Sequence, residues 1–148
     1  MSHHETESQK LPGLPSRRRD SHKGTYGTSL LIGGCPGMSG AIALAGMAAL
    51  RSGSGLVRLA IPEKILDSVA GFDPCYTTLP MACDCKGRLS LDAEPELATA
   101  AQKATAIAVG PGLNQTPGLF ELVARIYSGV PKPLVVDADA LNCLSRGD

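Results

Sequence analysis

The clearest signal along the chain is a set of short apolar runs with little polar relief. Ser29 to Ile32, Leu56 to Ile61, Thr105 to Val109 and Leu134 to Val136 each read as a strand. Strands covered on both faces have that pattern, which marks a parallel sheet in an α/β protein. Tyr76 to Met81 reads as a weaker strand. Helical stretches fall between the runs. Ala41 to Arg51 is rich in Ala, Leu and Met, all good helix formers. Ser39 is a candidate N-cap for it, and Gly53 and Gly55 end it. Pro62 suits the first turn of a helix over 62 to 70. Glu96 to Lys103 and the amphipathic Pro117 to Tyr127 complete the set. The order is strand, loop, helix, strand, helix, strand, helix, strand, loop, helix, strand. The expected class is α/β with a largely parallel sheet.

Ligands in such sheets bind beyond the carboxyl ends of the strands. Three of the predicted strands end in residues suited to ligand contact, namely Gly33-Gly34, Gly110-Pro111-Gly112 and Asp137-Ala138-Asp139. They are expected to converge on one crevice. The segment 33 to 41 is a turn-rich loop entering a helix, where free amides and the helix dipole attract anions. It is not a Walker A loop, because no Gly-Lys-Ser/Thr follows at the required spacing. Gly53-Ser54-Gly55 and Gly110-Pro111-Gly112 each lack the third glycine of a dinucleotide fingerprint. On these grounds phosphate binding and a plain structural turn both stay open. Asp137, Asp139 and Asn142 could hold a hydrated magnesium ion or orient a hydroxyl. Asp139 could equally be a helix N-cap.

Composition narrows the function classes. Apolar residues make up 43% of the 148 residues and charged ones 19%, which excludes general disorder. Basic and acidic residues number 14 each, and this balance argues against non-specific nucleic-acid binding. With no Trp, three Tyr and two Phe, base-stacking platforms are nearly excluded. The longest apolar run, Ala41 to Leu50, is too short to span a bilayer. Five cysteines cannot all pair within the chain, and Cys83 and Cys85 lack zinc-ribbon spacing. Free thiols in a reducing cytoplasm are expected. Residues 1 to 16 read as a disordered leader. The basic entry segment that ends in Arg17, Arg18, Arg19 and Lys23 could receive phosphates or be a solvated flank.

Three ordered segments carry a resemblance. They are His22-Lys23-Gly24-Thr25-Tyr26-Gly27, then Gly33-Gly34 through Gly37-Met38-Ser39-Gly40-Ala41, and Gly110-Pro111-Gly112-Leu113 followed by Val136-Asp137-Ala138-Asp139-Ala140-Leu141-Asn142. With Ala48 to Val57 between them, their order and spacing resemble the ADP- or ATP-dependent NAD(P)H-hydrate dehydratases over residues 17 to 144.

The resemblance implies a ribokinase-like three-layer α/β/α fold and a metabolite-repair lyase. Such an enzyme returns the S epimer of hydrated NADH or NADPH to the working coenzyme. ADP phosphorylates the ring hydroxyl, giving AMP, and phosphate then leaves. A poor leaving group thus becomes a good one, and positioning supplies most of the catalysis. Mg2+, ADP or ATP, and a homo-oligomer of the full-length protein are implied too; a nucleic-acid or membrane partner is not.

By match of motif, Ala41 and Asn114 are implied to contact the hydrated dinucleotide, and Gly34, Gly112, Asp137, Lys23 and Tyr26 match other recurrent positions. Asn114 stands where glycine is usual; Asn tolerates positive φ, but its side chain would crowd the substrate. Cys35 and Pro36 replace the small or basic residues more usual in that loop. The resemblance assigns no catalytic residue here. The catalytic Asp of a Gly-Thr-Gly-Asp motif would lie in a second half of the domain, so 17 to 148 is expected to be an N-terminal part, inactive alone. A small-molecule kinase of the same fold and a non-catalytic nucleotide-binding remnant are the alternatives.

Overall fold

The computed structural model describes residues 16 to 146. The expected disordered leader therefore lies, save for Ser16, outside the described residues. Five strands form one sheet: β1 (Thr28–Ile32), β2 (Leu56–Pro62), β3 (Thr77–Met81), β4 (Ala106–Val109) and β5 (Leu134–Val136). Their order is β3-β2-β1-β4-β5, and every pairing is parallel. Five helices connect or follow them: α1 (Ser39–Arg51), α2 (Leu66–Ala70), α3 (Glu94–Gln102), α4 (Pro117–Gly129) and α5 (Asp139–Leu144).

The apolar runs form strands because both faces of the sheet are covered. On one face Leu31, Val57, Leu59 and Ile61 pack with Ile42 of α1 and Val69 of α2. On the other, Leu30, Ile32, Ile107 and Val109 pack with Leu97 of α3, Leu122 of α4 and Cys143 of α5. Consecutive strand residues thus enter opposite cores. Each fully buried Leu or Ile contributes about 2 kcal/mol in transfer free energy. The expected α/β class and parallel sheet are therefore observed.

Local readings differ at three points. Met38, not Ser39, is the N-cap of α1, and it makes no side-chain cap bond. A turn closed by the Met38 N–H on the Cys35 carbonyl, at 2.9 Å, sets that start. Pro62 ends β2 in extended backbone instead of opening a helix, because the strand continues in register with Met81 of β3. A 3-10 turn, Glu63–Ile65, then leads into α2. Asp139 opens α5 behind Ala138, but its carboxylate is spent on another loop, not on its own helix.

The strand order fixes where a site can form. From β1 the chain steps outward to β2 and β3, then crosses back to β4 and β5 on the far side. The loops leaving β1 and β4 diverge, and the gap between them is the topological switch point of the sheet. Among the described residues no helix is long and apolar enough to cross a membrane.

Candidate functional site

The loops after β1, β4 and β5 do meet, and glycine is what lets them. A Cβ on Gly33 would strike the Pro111 carbonyl, and a Cβ on Gly112 would lie 2.7 Å from the Met38 carbonyl and 3.1 Å from Ala41 Cβ. The Gly34 N–H donates to the Pro111 carbonyl at 2.9 Å, stitching the first loop to the second. The third loop joins through Asp137, whose N–H bonds the Val109 carbonyl at 3.0 Å and whose own carbonyl abuts Gly110.

Asn114 and Asp139 lock the arrangement. Asn114 adopts φ 74°, a left-handed conformation that Asn tolerates. Its N–H donates to Asp139 Oδ2 at 2.8 Å, and Gln115 Nε2 donates to Asp139 Oδ1 at 3.2 Å. The Asn114 side chain turns toward Cys35, with Nδ2 3.9 Å from Sγ. Ala138, at φ 48°, is strained, and such strain gathers at functional sites.

Gly34, Ala41, Gly112, Asn114 and Asp137 therefore gather at the carboxyl ends of the strands. Lys23 and Tyr26 do not. Their 3-10 turn, Lys23–Tyr26, precedes β1, and the Tyr26 carbonyl accepts the Gly55 N–H at 3.1 Å just before β2 begins. They lie at the amino ends, a strand length of about 16 Å away at 3.3 Å per residue. The basic entry segment is there too. Arg17 stacks over the Tyr26 ring at 4.1 Å and donates to the Gly53 carbonyl at 2.9 Å, while Arg18 pairs with Asp20. It is a clasp on the amino side of the sheet, not a receiver of phosphates at the crevice.

Ala41 and Asn114, the two residues that the resemblance implies at the dinucleotide, have their own N–H groups engaged. The Ala41 N–H is engaged by the Met38 carbonyl at 3.2 Å, and that of Asn114 by Asp139. Among the described residues the N–H groups of Gly37, Ser39, Gly40 and Gly112 have no acceptor. For Ser39 and Gly40 the signal is the helix start itself, whose first amides have no intrahelical partner. With the α1 dipole behind them, the Ser39 and Gly40 amides favour an anion.

Burial pushes the Cys35 thiol up, with the Asp139 charge acting the same way against the Asn114 amide; burial also raises Cys143. All five cysteines are free thiols. Among the described residues no group of three His, Cys, Asp or Glu side chains could hold a metal ion. Both Asp139 carboxylate oxygens already accept hydrogen bonds, from the Asn114 N–H and the Gln115 amide. A cleft of about 390 Å³ opens elsewhere, between β3 and α3.

The strand order and the free amides at the switch point define a doubly wound α/β domain, and solved structures share its fold. A ribokinase-like superfamily protein from Enterococcus faecalis superposes with TM-score 0.74 at 23% identity, over 89% of this chain and 44% of the other. An ADP/ATP-dependent NAD(P)H-hydrate dehydratase from Bacillus subtilis, co-crystallised with ATP/Mg2+, superposes with TM-score 0.67 at 34% identity, over 86% and 43%. The fold is ribokinase-like.

In sequence, the family profile described as NAD(P)H-hydrate dehydratase matches residues 29 to 148. The chain belongs to this family. It is 41% identical over 132 residues to the bifunctional NAD(P)H-hydrate repair enzyme Nnr of Moorella thermoacetica, covering 89% of this chain and 25% of the relative. It is 35% identical over 136 residues to the ADP-dependent (S)-NAD(P)H-hydrate dehydratase of Bacillus subtilis, covering 92% and 46%. The chain thus spans about a quarter of the bifunctional relative and just under half of the single-activity one.

Proposed function

We propose that this chain supplies the dinucleotide-gripping half of an NAD(P)H-hydrate dehydratase domain. The whole domain would dehydrate the S epimer of hydrated NADH or NADPH at the expense of ADP, giving AMP and phosphate. The observation that carries the reading is the meeting of Gly112 with Ala41 and Met38, which brings two amide-bearing loops to one hollow. The hydrated coenzyme lies across that hollow. Ser39, Gly40 and Gly112 supply the free N–H groups, and Ala41, Asn114 and Asp137 shape the walls. Gly34 acts from beneath by holding the two loops together. Lys23 and Tyr26 contribute to binding only through the fold of the amino side.

Among the described residues no group of three His, Cys, Asp or Glu side chains could hold a metal ion. The reading therefore places the catalytic carboxylate, the ADP phosphates and their Mg2+ in a second half like that of the longer relatives, within a cytoplasmic homo-oligomer. The experiment is recovery of the reduced-nicotinamide absorbance from hydrated NADH on addition of ADP. The 148-residue chain gives no recovery, whereas a chain continued through a Gly-Thr-Gly-Asp half does. Recovery by the 148 residues alone overturns the division of labour. Phosphorylated product accumulating from another small molecule, with no effect on hydrated NADH, makes the protein a kinase instead.

A further inference from the structure

The sequence pattern gives the cysteine-bearing stretch between β3 and α3 no role. In the fold it doubles back as a hairpin, with an antiparallel bridge between Cys83 and Leu89. Asp84 holds its tip. One carboxylate oxygen accepts the Lys86 and Arg88 N–H groups, both at 2.9 Å, and the other accepts the Arg88 guanidinium at 2.6 Å and 2.8 Å. Those bonds hold the Asp84 carboxyl below the usual carboxylate range.

The tip does not end in solvent. Gly87 is buried, at φ 78°, and a Cβ there would lie 2.8 Å from Pro36 Cγ and 3.2 Å from Lys64 Cδ. Lys64 Nζ in turn donates to the Cys85 carbonyl at 2.8 Å. Pro36 is the second residue of the turn that presents the free amides of Gly37, Ser39 and Gly40.

We propose that the Cys83–Leu89 hairpin is the outer buttress of the Gly34–Gly40 loop, with Asp84, Gly87 and Lys64 as positioning residues that hold Pro36. Without this buttress, the turn from Cys35 to Met38 loses its packing on the β2 side. Only the ligand that the loop serves, hydrated NAD(P)H, rests on the function proposed above. The buttress itself does not.

Amide hydrogen exchange on the 148-residue chain, without ligand, tests the mechanical part. Asp84→Asn removes the charge that organises the tip, and Lys64→Gln removes the link to Cys85 while leaving the tip intact. Each variant is expected to speed exchange of the Met38 amide by about ten-fold through local opening, and to leave Asp137, in the β4–β5 ladder, unchanged. Faster exchange at Arg88 with no change at Met38 in either variant overturns the buttress. In the second arm, hydrated NADH binds Asp84→Asn about three- to ten-fold more weakly at unchanged melting temperature, and Asp84→Glu recovers part of the loss. Equal affinity in all three overturns the positioning role. If the unsubstituted chain binds no hydrated NADH while Met38 responds as expected, the buttress stands and the ligand assignment falls.

Discussion

The main-chain N–H of Asn114 is held by the carboxylate of Asp139 at 2.8 Å, although the two belong to loops after different strands. This contact closes the floor of the hollow and fixes Asn114 at φ 74°. Asp139→Ala leaves that N–H without its partner, and chemical denaturation should register a loss of about 1–3 kcal/mol. Asp139→Asn keeps an acceptor oxygen in place and should lose clearly less. Equal losses from the two would show that the charge, not the acceptor, matters.

Ala138 sits at φ 48° immediately before α5, a conformation that favours glycine. Ala138→Gly should raise thermal stability, since relief of such strain is worth about 1–3 kcal/mol before the entropy cost of glycine. A lower melting temperature would mean that the Ala138 methyl stabilises the loop more than its backbone strain costs.

Close approach at the crevice gives a sharper mutational test. Gly33→Ala drives a methyl into the Pro111 carbonyl, and overpacking of this kind costs about 1–3 kcal/mol. Gly40→Ala, where an added Cβ meets nothing within 4 Å, should be tolerated. The difference, read from two melting curves, reports whether the β1 and β4 loops touch in solution.

Much of this was legible in the sequence, for a physical reason. Leu30-Leu31-Ile32 and Ile107-Ala108-Val109 contribute to both faces of the sheet, so their apolar character is continuous and the parallel sheet follows. The glycine loops were visible because close backbone approach tolerates little else. Lys23 and Tyr26 are different: residues just before the first strand of a parallel sheet stand at its amino end, so their distance from the crevice could have been inferred from order alone. The hairpin was not legible. Its fold rests on one carboxylate, Asp84, satisfying amides two and four residues on, a local arrangement with no periodicity.

Thiol labelling at mildly alkaline pH should follow burial and charge. Cys75 and Cys85 are both exposed and should react first. Cys35 and Cys143 are buried with raised thiols, hold little thiolate, and should react only on unfolding. Peptide mapping of the alkylated protein gives the order. Early labelling of Cys35 would mean that the first loop opens readily.

Acid should loosen the hairpin before the sheet. The Arg88 amide and guanidinium hold the Asp84 carboxyl low, so its contribution is complete above the ordinary carboxylate pKa of about 3.9 and is lost as pH falls through its lower folded value. After correction for intrinsic rates, exchange at Arg88 should be flat from neutral pH to about 5 and should quicken below about 4. Quickening near neutrality would assign the effect to another group.

Free amides at the start of α1 and in the β4 loop are proposed to receive the hydrated coenzyme together. Amide shifts of the 148-residue chain, followed by NMR during titration with hydrated NADH, address this directly. Saturable shifts are expected at Ser39, Gly40, Ala41, Gly112 and Asn114, with Tyr26, Gly55 and Thr105 unmoved. Saturable shifts confined to Tyr26, Gly55 and Thr105, or none at either loop, would contradict joint binding by the two loops.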